Sequence, residues 1–309
     1  MISVVIPTFN RADFIGECLE SVFIQTKPVS EVIVIDNCST DETIGIVESF
    51  KHKFDNLRVI KNRINVGMVA NWNAGASLVT NPYFSILHSD DTVPSYWNEV
   101  LVNYISSLQD HSIGIFFGDV SVIEKKAGRW RPYSIHQFFP QSRVFSENSA
   151  VFGLWKNFWG NPGCSAGITY HTESFNKLGG FCVESGAEAD QDLHIRIMSR
   201  FRVGYCQRSL VNYRLHDYQA FDYEKIKENY NVSYSRLINS IRIQEEHLPD
   251  NRLLRYTRVG CLYYVFYFVF RGRLKLAFRL AKTSRCFDLG VLLLVPRFIL
   301  SKFKSRLQR

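Results

Sequence analysis

Strand-like and helix-like patterns alternate through the first 120 residues, and that alternation restricts the fold more than any other feature. Residues 3–6, 31–36, 57–61, 83–87 and 113–117 are short β-rich runs. Between the first two, Phe14, Ile15, Cys18, Leu19, Val22 and Phe23 recur at helical spacing. Asp41 is expected to start a second helix through Ile44, Val47 and Phe50, and residues 68–78 and 95–108 read as two more. Strands alternating with helices imply an α/β fold with a mainly parallel, doubly wound sheet. Such open sheets hold ligands in the crevice beyond the carboxyl ends of their strands.

Those strand ends are rich in chemistry. The fourth run leads into His88-Ser89-Asp90-Asp91. Adjacent carboxylates are hard oxygen ligands that suit Mg2+ or Mn2+, and such an ion can hold a diphosphate. The same pair also serves as an ordinary turn or helix cap. The first run ends in Pro7-Thr8-Phe9-Asn10-Arg11, and the second in Asp36-Asn37-Cys38-Ser39-Thr40-Asp41. A later helix, expected over 187–200, opens at Glu188-Ala189-Asp190-Gln191-Asp192. The first three clusters can converge on one crevice.

Residues 121–185 read as irregular, with Trp130, Trp155 and Trp159 among glycines and prolines. This region is expected to pack across the ligand-binding edge of the sheet. The seven cysteines are scattered, odd in number and without a Cys-x-x-Cys pair. They read as reduced thiols of a cytoplasmic protein, neither a disulfide frame nor a zinc site. Met1–Pro7 lacks the basic leader of a signal peptide.

The net charge of +8 is uneven. Residues 251–309 carry 14 Lys and Arg against one acid, Asp288, for +13, whereas residues 1–250 carry 23 bases and 28 acids, for −5. A basic tail on an acidic body points to an anionic partner, membrane or nucleic acid. The tail reads as helical, but its apolar runs, 259–270 and 289–296, are shorter than the roughly 20 residues that span a bilayer. At helical spacing Arg271, Lys275, Arg279 and Lys282 share one face, with Leu274, Ala277, Phe278 and Ala281 on the other. That fits a helix lying in the headgroup layer of an anionic leaflet, or an ordinary solvated helix packed on its domain.

Taken together, the motifs resemble the family 2 glycosyltransferases of the GT-A fold over about residues 1–217. Val4–Arg11 is similar to the family's opening strand and turn. Ile35–Asp41 is similar to its second strand end, usually Asp-Asp-Gly-Ser-x-Asp. Asn65-x-Gly67 with Asn71, Gly179-Gly180-Phe181 and Tyr213-Arg214-Leu215-His216 follow in the family's order. The resemblance implies a catalytic domain over 1–220 and a helical, basic extension over 221–309.

It also implies roles. Asp36 would accept a hydrogen bond from a uracil-type base, with Pro7, Thr8, Asn10 and Arg11 lining the nucleotide. Arg63, Asn65 and Gly67 would border it. His88-Ser89-Asp90 stands at the family's Asp-x-Asp position. Asp90 would be the metal ligand, with His216 and His88 as further candidates, although His88 departs from the pattern and could instead bond ribose or phosphate. Asp91 would lie behind the metal or cap a helix starting near Ser95. Asp190 aligns with the second acid of the Glu-Asp motif, the general base, while the first acid has become Ala189. Trp159, Asn161 and Asp192 fall in the acceptor region, as do Trp155 and Cys164.

The implied activity is a metal-dependent, inverting transfer of a sugar from a nucleotide diphosphate sugar, UDP- or dTDP-linked, to a glycan hydroxyl. The acceptor would be linked to a polyprenyl diphosphate lipid at the inner face of the plasma membrane, in O-antigen or capsule synthesis. Two other readings remain at this stage. The departures at His88 and Ala189 also fit a non-catalytic nucleotide-binding scaffold. A nucleic-acid-binding tail fits the charge, but the sequence carries no recognisable reading motif.

Overall fold

The computed structural model describes residues 1–126, 129–136, 139–147 and 167–216, and in the C-terminal part residues 242, 258, 261–262, 264–266, 268–269, 272–284 and 287. The chain divides into two compact units, the first comprising Met1–Ala150 and Asn161–Asp217.

The first unit opens with β1 (Ile2–Thr8), α1 (Ala12–Phe23), β2 (Glu31–Asp36), α2 (Thr43–Lys51), β3 (Leu57–Lys61), α3 (Met68–Ala76), β4 (Tyr83–Ile86) and α4 (Trp97–Leu108). All seven residues of β1 are buried, as expected for a strand covered on both faces. β1 pairs in parallel with β2 and β4, and β2 with β3. Asp41 stands just before α2 rather than inside it. Its carboxylate accepts from the Thr43 amide at 3.0 Å and the Ala12 amide at 3.1 Å, so one acid serves the first turns of both α1 and α2.

Beyond β4 the sheet becomes mixed. β5 (Ile113–Lys126), β6 (Arg129–His136), β7 (Arg143–Phe145) and β8 (Thr169–His171) precede α5 (Thr172–Lys177), a 3-10 turn (Val183–Glu188), α6 (Ala189–Met198) and β9 (Arg202–Leu215). The nine strands run in the order β3-β2-β1-β4-β8-β5-β9-β7, with β6 on β5. β8 is antiparallel to both of its neighbours, and six of the nine strands point the same way. The α/β class with a mainly parallel direction therefore holds.

Two expectations need correction. Residues 121–185 are not uniformly irregular, since β5 continues to Lys126 and β6, β7 and β8 follow. Val120 and Val122 of β5 are buried at a spacing of two. The pairing of β5 with β9 slips at Gly118–Asp119, and that irregularity hid the period. β8 is only three residues long, too short to carry a pattern. β9, unrecognised as a strand, brings the late Tyr-Arg-x-His segment back to the sheet.

Among the described residues no helix is long and apolar enough to cross a membrane, and Cys18, Cys38, Cys182, Cys206 and Cys261 are free thiols.

Candidate active site

The turns after β1 and β2 are stitched by amides and hydroxyls together with the carboxylates of Asp36 and Asp41. Asn10 sits in the left-handed region at φ 50°. Its amide donates to Ser39 Oγ at 2.9 Å, and its side-chain oxygen accepts from the Thr40 amide at 2.8 Å. Asp36 is buried, and its carboxylate accepts from the Ser39 hydroxyl at 2.5 Å and the Ser39 amide at 3.1 Å. Part of this carboxylate thus shapes its own turn. Pro7 and Thr8 are buried at the end of β1, and the Thr8 hydroxyl has no hydrogen-bond partner among the described residues. An orphaned buried hydroxyl at a strand's ligand-facing end is what a bound molecule would satisfy.

An amide cluster fastens the next loop. Asn37 donates to Asn65 Oδ1 at 2.9 Å and accepts from the Val66 amide at 2.9 Å and Asn62 Nδ2 at 3.2 Å. Asn62 also donates to Asn71 Oδ1 at 2.8 Å. Asn65 and Gly67 are exposed, joined by a 2.9 Å bond from the Gly67 amide to Asn65 Oδ1. Arg63 is exposed on the same loop.

The loop after β4 is charged instead. His88, Asp90 and Asp91 present ligand atoms all within 4.8 Å of one another. Arg11 Nε lies 3.5 Å from Asp90 Oδ2, and His216 Nε2 lies 3.3 Å from the same oxygen. Burial by itself would raise the Asp90 pKa. The hydrogen bond from His216 and the positive charge of His88, Arg11 and His216 outweigh it, and the carboxyl stays well below the usual range. Burial lowers the His88 pKa, with the Asp90 carboxylate opposing that shift and Arg11 adding to it. Two carboxylates and an imidazole in this spacing fit a divalent cation, with His88, Asp90 and Asp91 as its holders.

Sequence reading placed Arg214 in a late motif but gave it no role, and it is the residue that organises this loop. Arg214, on β9, is fully buried. Its Nε donates to Asp90 O at 2.5 Å, and its Nη2 donates to Asp91 O at 3.3 Å and Phe14 O at 3.2 Å. Its Nη1 pairs with Glu17, and its backbone amide donates to Asp91 Oδ1 at 2.9 Å. Asp91 is thereby occupied, and α4 begins at Trp97 without a side-chain cap.

Trp72 links this loop to the far helix. It stacks on His88 at 5.3 Å and meets the edge of Phe181 at 5.3 Å. Asn73 bonds both the amide and the carbonyl of Phe181, at 2.9 and 2.8 Å. Gly180, at φ +72°, passes so close to Asn73 that a Cβ would lie 2.7 Å from Oδ1. Arg196 donates to the carbonyls of Leu178 and Gly180, both at 2.7 Å. The same guanidinium pairs with Asp192, through Nε at 2.9 Å. Asp192, expected at the acceptor, is instead buried inside this brace. Asp190 is half-buried in the first turn of α6, where its carboxylate accepts from the Gln191 amide at 2.7 Å. Trp155, Trp159, Asn161 and Cys164 lie outside the described residues.

The Glycosyl transferase family 2 model matches residues 3–168, over half of the chain. The chain belongs to glycosyl transferase family 2. It is 28% identical over 128 residues to an uncharacterized glycosyltransferase of Haemophilus influenzae, covering 41% of this chain and 39% of that protein. It is 33% identical over 156 residues to a poly(ribitol-phosphate) beta-glucosyltransferase of Bacillus spizizenii, covering 50% of this chain and 24% of that one. The chain thus spans well under half the length of these relatives. Among solved structures, residues 1–349 of S. aureus TarS in complex with UDP-GlcNAc superpose with a TM-score of 0.61 at 17% identity, over 92% of this chain and 91% of that one. That likeness concerns the fold.

Proposed function

We propose that this family 2 member is a metal-dependent inverting transferase. It moves a sugar from a UDP- or dTDP-linked donor to a hydroxyl of a lipid-linked glycan at the inner face of the plasma membrane, in the synthesis of a surface polysaccharide. The observation that carries this reading is the convergence of Arg11, His88 and His216 on Asp90, beside the turns of β1 and β2. The solved neighbour's complex with UDP-GlcNAc supports a uridine donor.

In this reading the Thr8 hydroxyl and Asp36 meet the nucleoside, and Arg11 and His216 face the diphosphate. A bound Mn2+ or Mg2+, held by Asp90 with His88 and Asp91, would offset charge on the leaving diphosphate. Asp190 accepts the proton of the acceptor hydroxyl. The acceptor oxygen bonds to the anomeric carbon from the face opposite the diphosphate. The bond from that carbon to the diphosphate oxygen breaks, its electron pair leaves with the diphosphate, and the configuration inverts.

Calorimetric titration of UDP with and without manganese tests the donor site. Wild-type protein should bind in a metal-dependent manner, and Asp90→Ala should lose that dependence. Asp190→Asn should keep UDP binding and lose turnover by roughly 100-fold or more. UDP binding without donor turnover in the wild type, under any acceptor condition, would favour the non-catalytic scaffold.

A further inference from the structure

Within the C-terminal unit, residues 258, 261–262, 264–266 and 268–269 are helical. Gly272 closes that helix. Its amide donates to Val269 O at 2.9 Å, the Arg273 amide donates to Phe268 O at 2.7 Å, and Gly272 takes φ +69°. This is a Schellman stop, in which only a residue tolerant of the left-handed region fits. The chain then enters α7 (Leu274–Ser284).

The packing of α7 divides the expected apolar face, burying Ala277 and leaving Leu274 and Phe278 exposed. Its buried residues are Ala277, Leu280 and Ser284. At 100° per residue they form a stripe of small side chains and one leucine, and the exposed face lies opposite. Leu274 and Phe278 are on that exposed face, at 64% and 72% accessibility. Lys275, Arg279 and Lys282 are exposed beside them. The helix carries no acid. Phe266, Val269 and Phe287 of the same unit are also exposed. Large apolar side chains in water, bordered by bases, mark an interaction surface.

Charge decides among occupants. A second copy would bring three bases against three bases with no acid on the helix to answer them. A nucleic acid would engage the bases and leave Phe278 and Leu274 in water. An anionic bilayer satisfies both groups, with phosphates at the bases and the acyl boundary at the rings. Eleven residues span about 16 Å, so the helix lies along the surface and does not cross it.

We propose that the exposed face of α7 docks on anionic lipid, with Phe278 and Leu274 entering the acyl boundary and Lys275, Arg279 and Lys282 at the headgroup phosphates. The proposal rests on the membrane-side reading above and names the surface that serves it.

Flotation of the full chain with phosphatidylcholine vesicles, with and without phosphatidylglycerol, tests the surface. Wild-type protein should float only with the anionic vesicles, and high salt should weaken the binding without abolishing it. Neutralising Lys275, Arg279 and Lys282 to Gln should cost roughly five-fold in partitioning per base. Leu274→Ser with Phe278→Ser should cost roughly ten-fold or more and make the remainder fully salt-sensitive. UDP titration on each variant reports folding of the first unit independently. Wild-type-like flotation of the double-Ser variant would overturn the proposal, as would equal binding to neutral vesicles. A lipid-free dimer by light scattering that the Ser variant abolishes would give the face to a second copy instead. Wild-type protein that binds UDP but does not float with the anionic vesicles sinks the lipid surface alone. Wild-type protein that floats but does not bind UDP sinks the donor reading alone.

Discussion

The two sides of the candidate site are built from different materials. Around β1, β2 and β3 the loops are held by amides and hydroxyls of Asn10, Asn37, Ser39, Asn62, Asn65 and Asn71, with the Asp36 and Asp41 carboxylates accepting from neutral amides and hydroxyls and not from a guanidinium. Around β4 and β9 the loop is held by ions, with Arg214 across Asp90 and Asp91, and Arg11 and His216 on the Asp90 carboxylate. A neutral bond contributes about 1 kcal/mol net, and losing one partner leaves a modest penalty. Removing one member of a buried ionic set leaves uncompensated charge, which costs several times more. The neutral side suits a base and ribose recognised by shape and hydrogen bonds. The ionic side suits a ligand that brings charge of its own.

Arg214→Leu attacks the ionic side where it is deepest. It should destabilise the first unit by about 3–5 kcal/mol, read as a lower urea midpoint. Arg214→Lys should recover part of that stability while metal-dependent UDP binding stays weak, because an ammonium cannot span Asp90 O, Asp91 O and Glu17 together. If Arg214→Leu costs no more than a neutral substitution, the contrast between the two sides fails. Asn37→Ala is the matching probe on the neutral side. It should cost about 1–3 kcal/mol, with weaker UDP affinity but unchanged metal dependence.

A buried histidine sharpens the contrast, because here burial and a neighbouring charge act in the same direction. His194 on α6 is fully buried, with the Tyr170 hydroxyl 2.8 Å from its Nε2. Burial, aided by the Arg196 charge, lowers its pKa to about 3. The unfolded chain takes up a proton below about pH 6.5, whereas the folded chain does so only near pH 3. Stability should therefore be full above pH 6.5 and fall progressively as pH drops below it. His194→Gln should flatten that slope in urea titrations between pH 7 and 4. An unchanged slope would assign the acid sensitivity to other groups.

The smallest effect concerns Cys38, a non-glycine residue at φ 70° in the turn beside Asp36. A left-handed L residue costs roughly 1–2 kcal/mol, partly offset by the extra chain entropy of glycine. Cys38→Gly should raise the thermal midpoint by the equivalent of about 0.5–1 kcal/mol, and a lowered midpoint would mean that the thiol contributes packing.

Much of the parallel half was legible because each buried strand there is a continuous apolar run ending in polar residues. The bulge at Gly118–Asp119 and the three-residue β8 broke the periods on the mixed side, and that half was not legible. Asp90 and His216, which the structure brings to 3.3 Å, could be nominated because their residue types announce chemistry at strand ends, as does Asp36. Arg214, Trp72 and Arg196 could not, since their importance lies in contacts with residues far away in the chain. Asp192 misled because an exposed acid and a buried, ion-paired acid look alike in sequence. The amphipathic reading of α7 could not separate Ala277, which is buried, from Leu274 and Phe278, which are exposed, because small residues and one leucine took the packed stripe.

Arg214 also orders events in time. Its pairing with Glu17 closes a loop of 197 residues, and its bonds to Asp90 and Asp91 close loops of 124 and 123. Contacts of such separation form late, after the local β-α units have settled. A chain still emerging from the ribosome can fold β1 to β4 and display the acidic loop, but nothing yet braces that loop. The brace on the acidic loop arrives only with the return of β9, so under the proposed function a growing chain would not capture its donor before the first unit is complete.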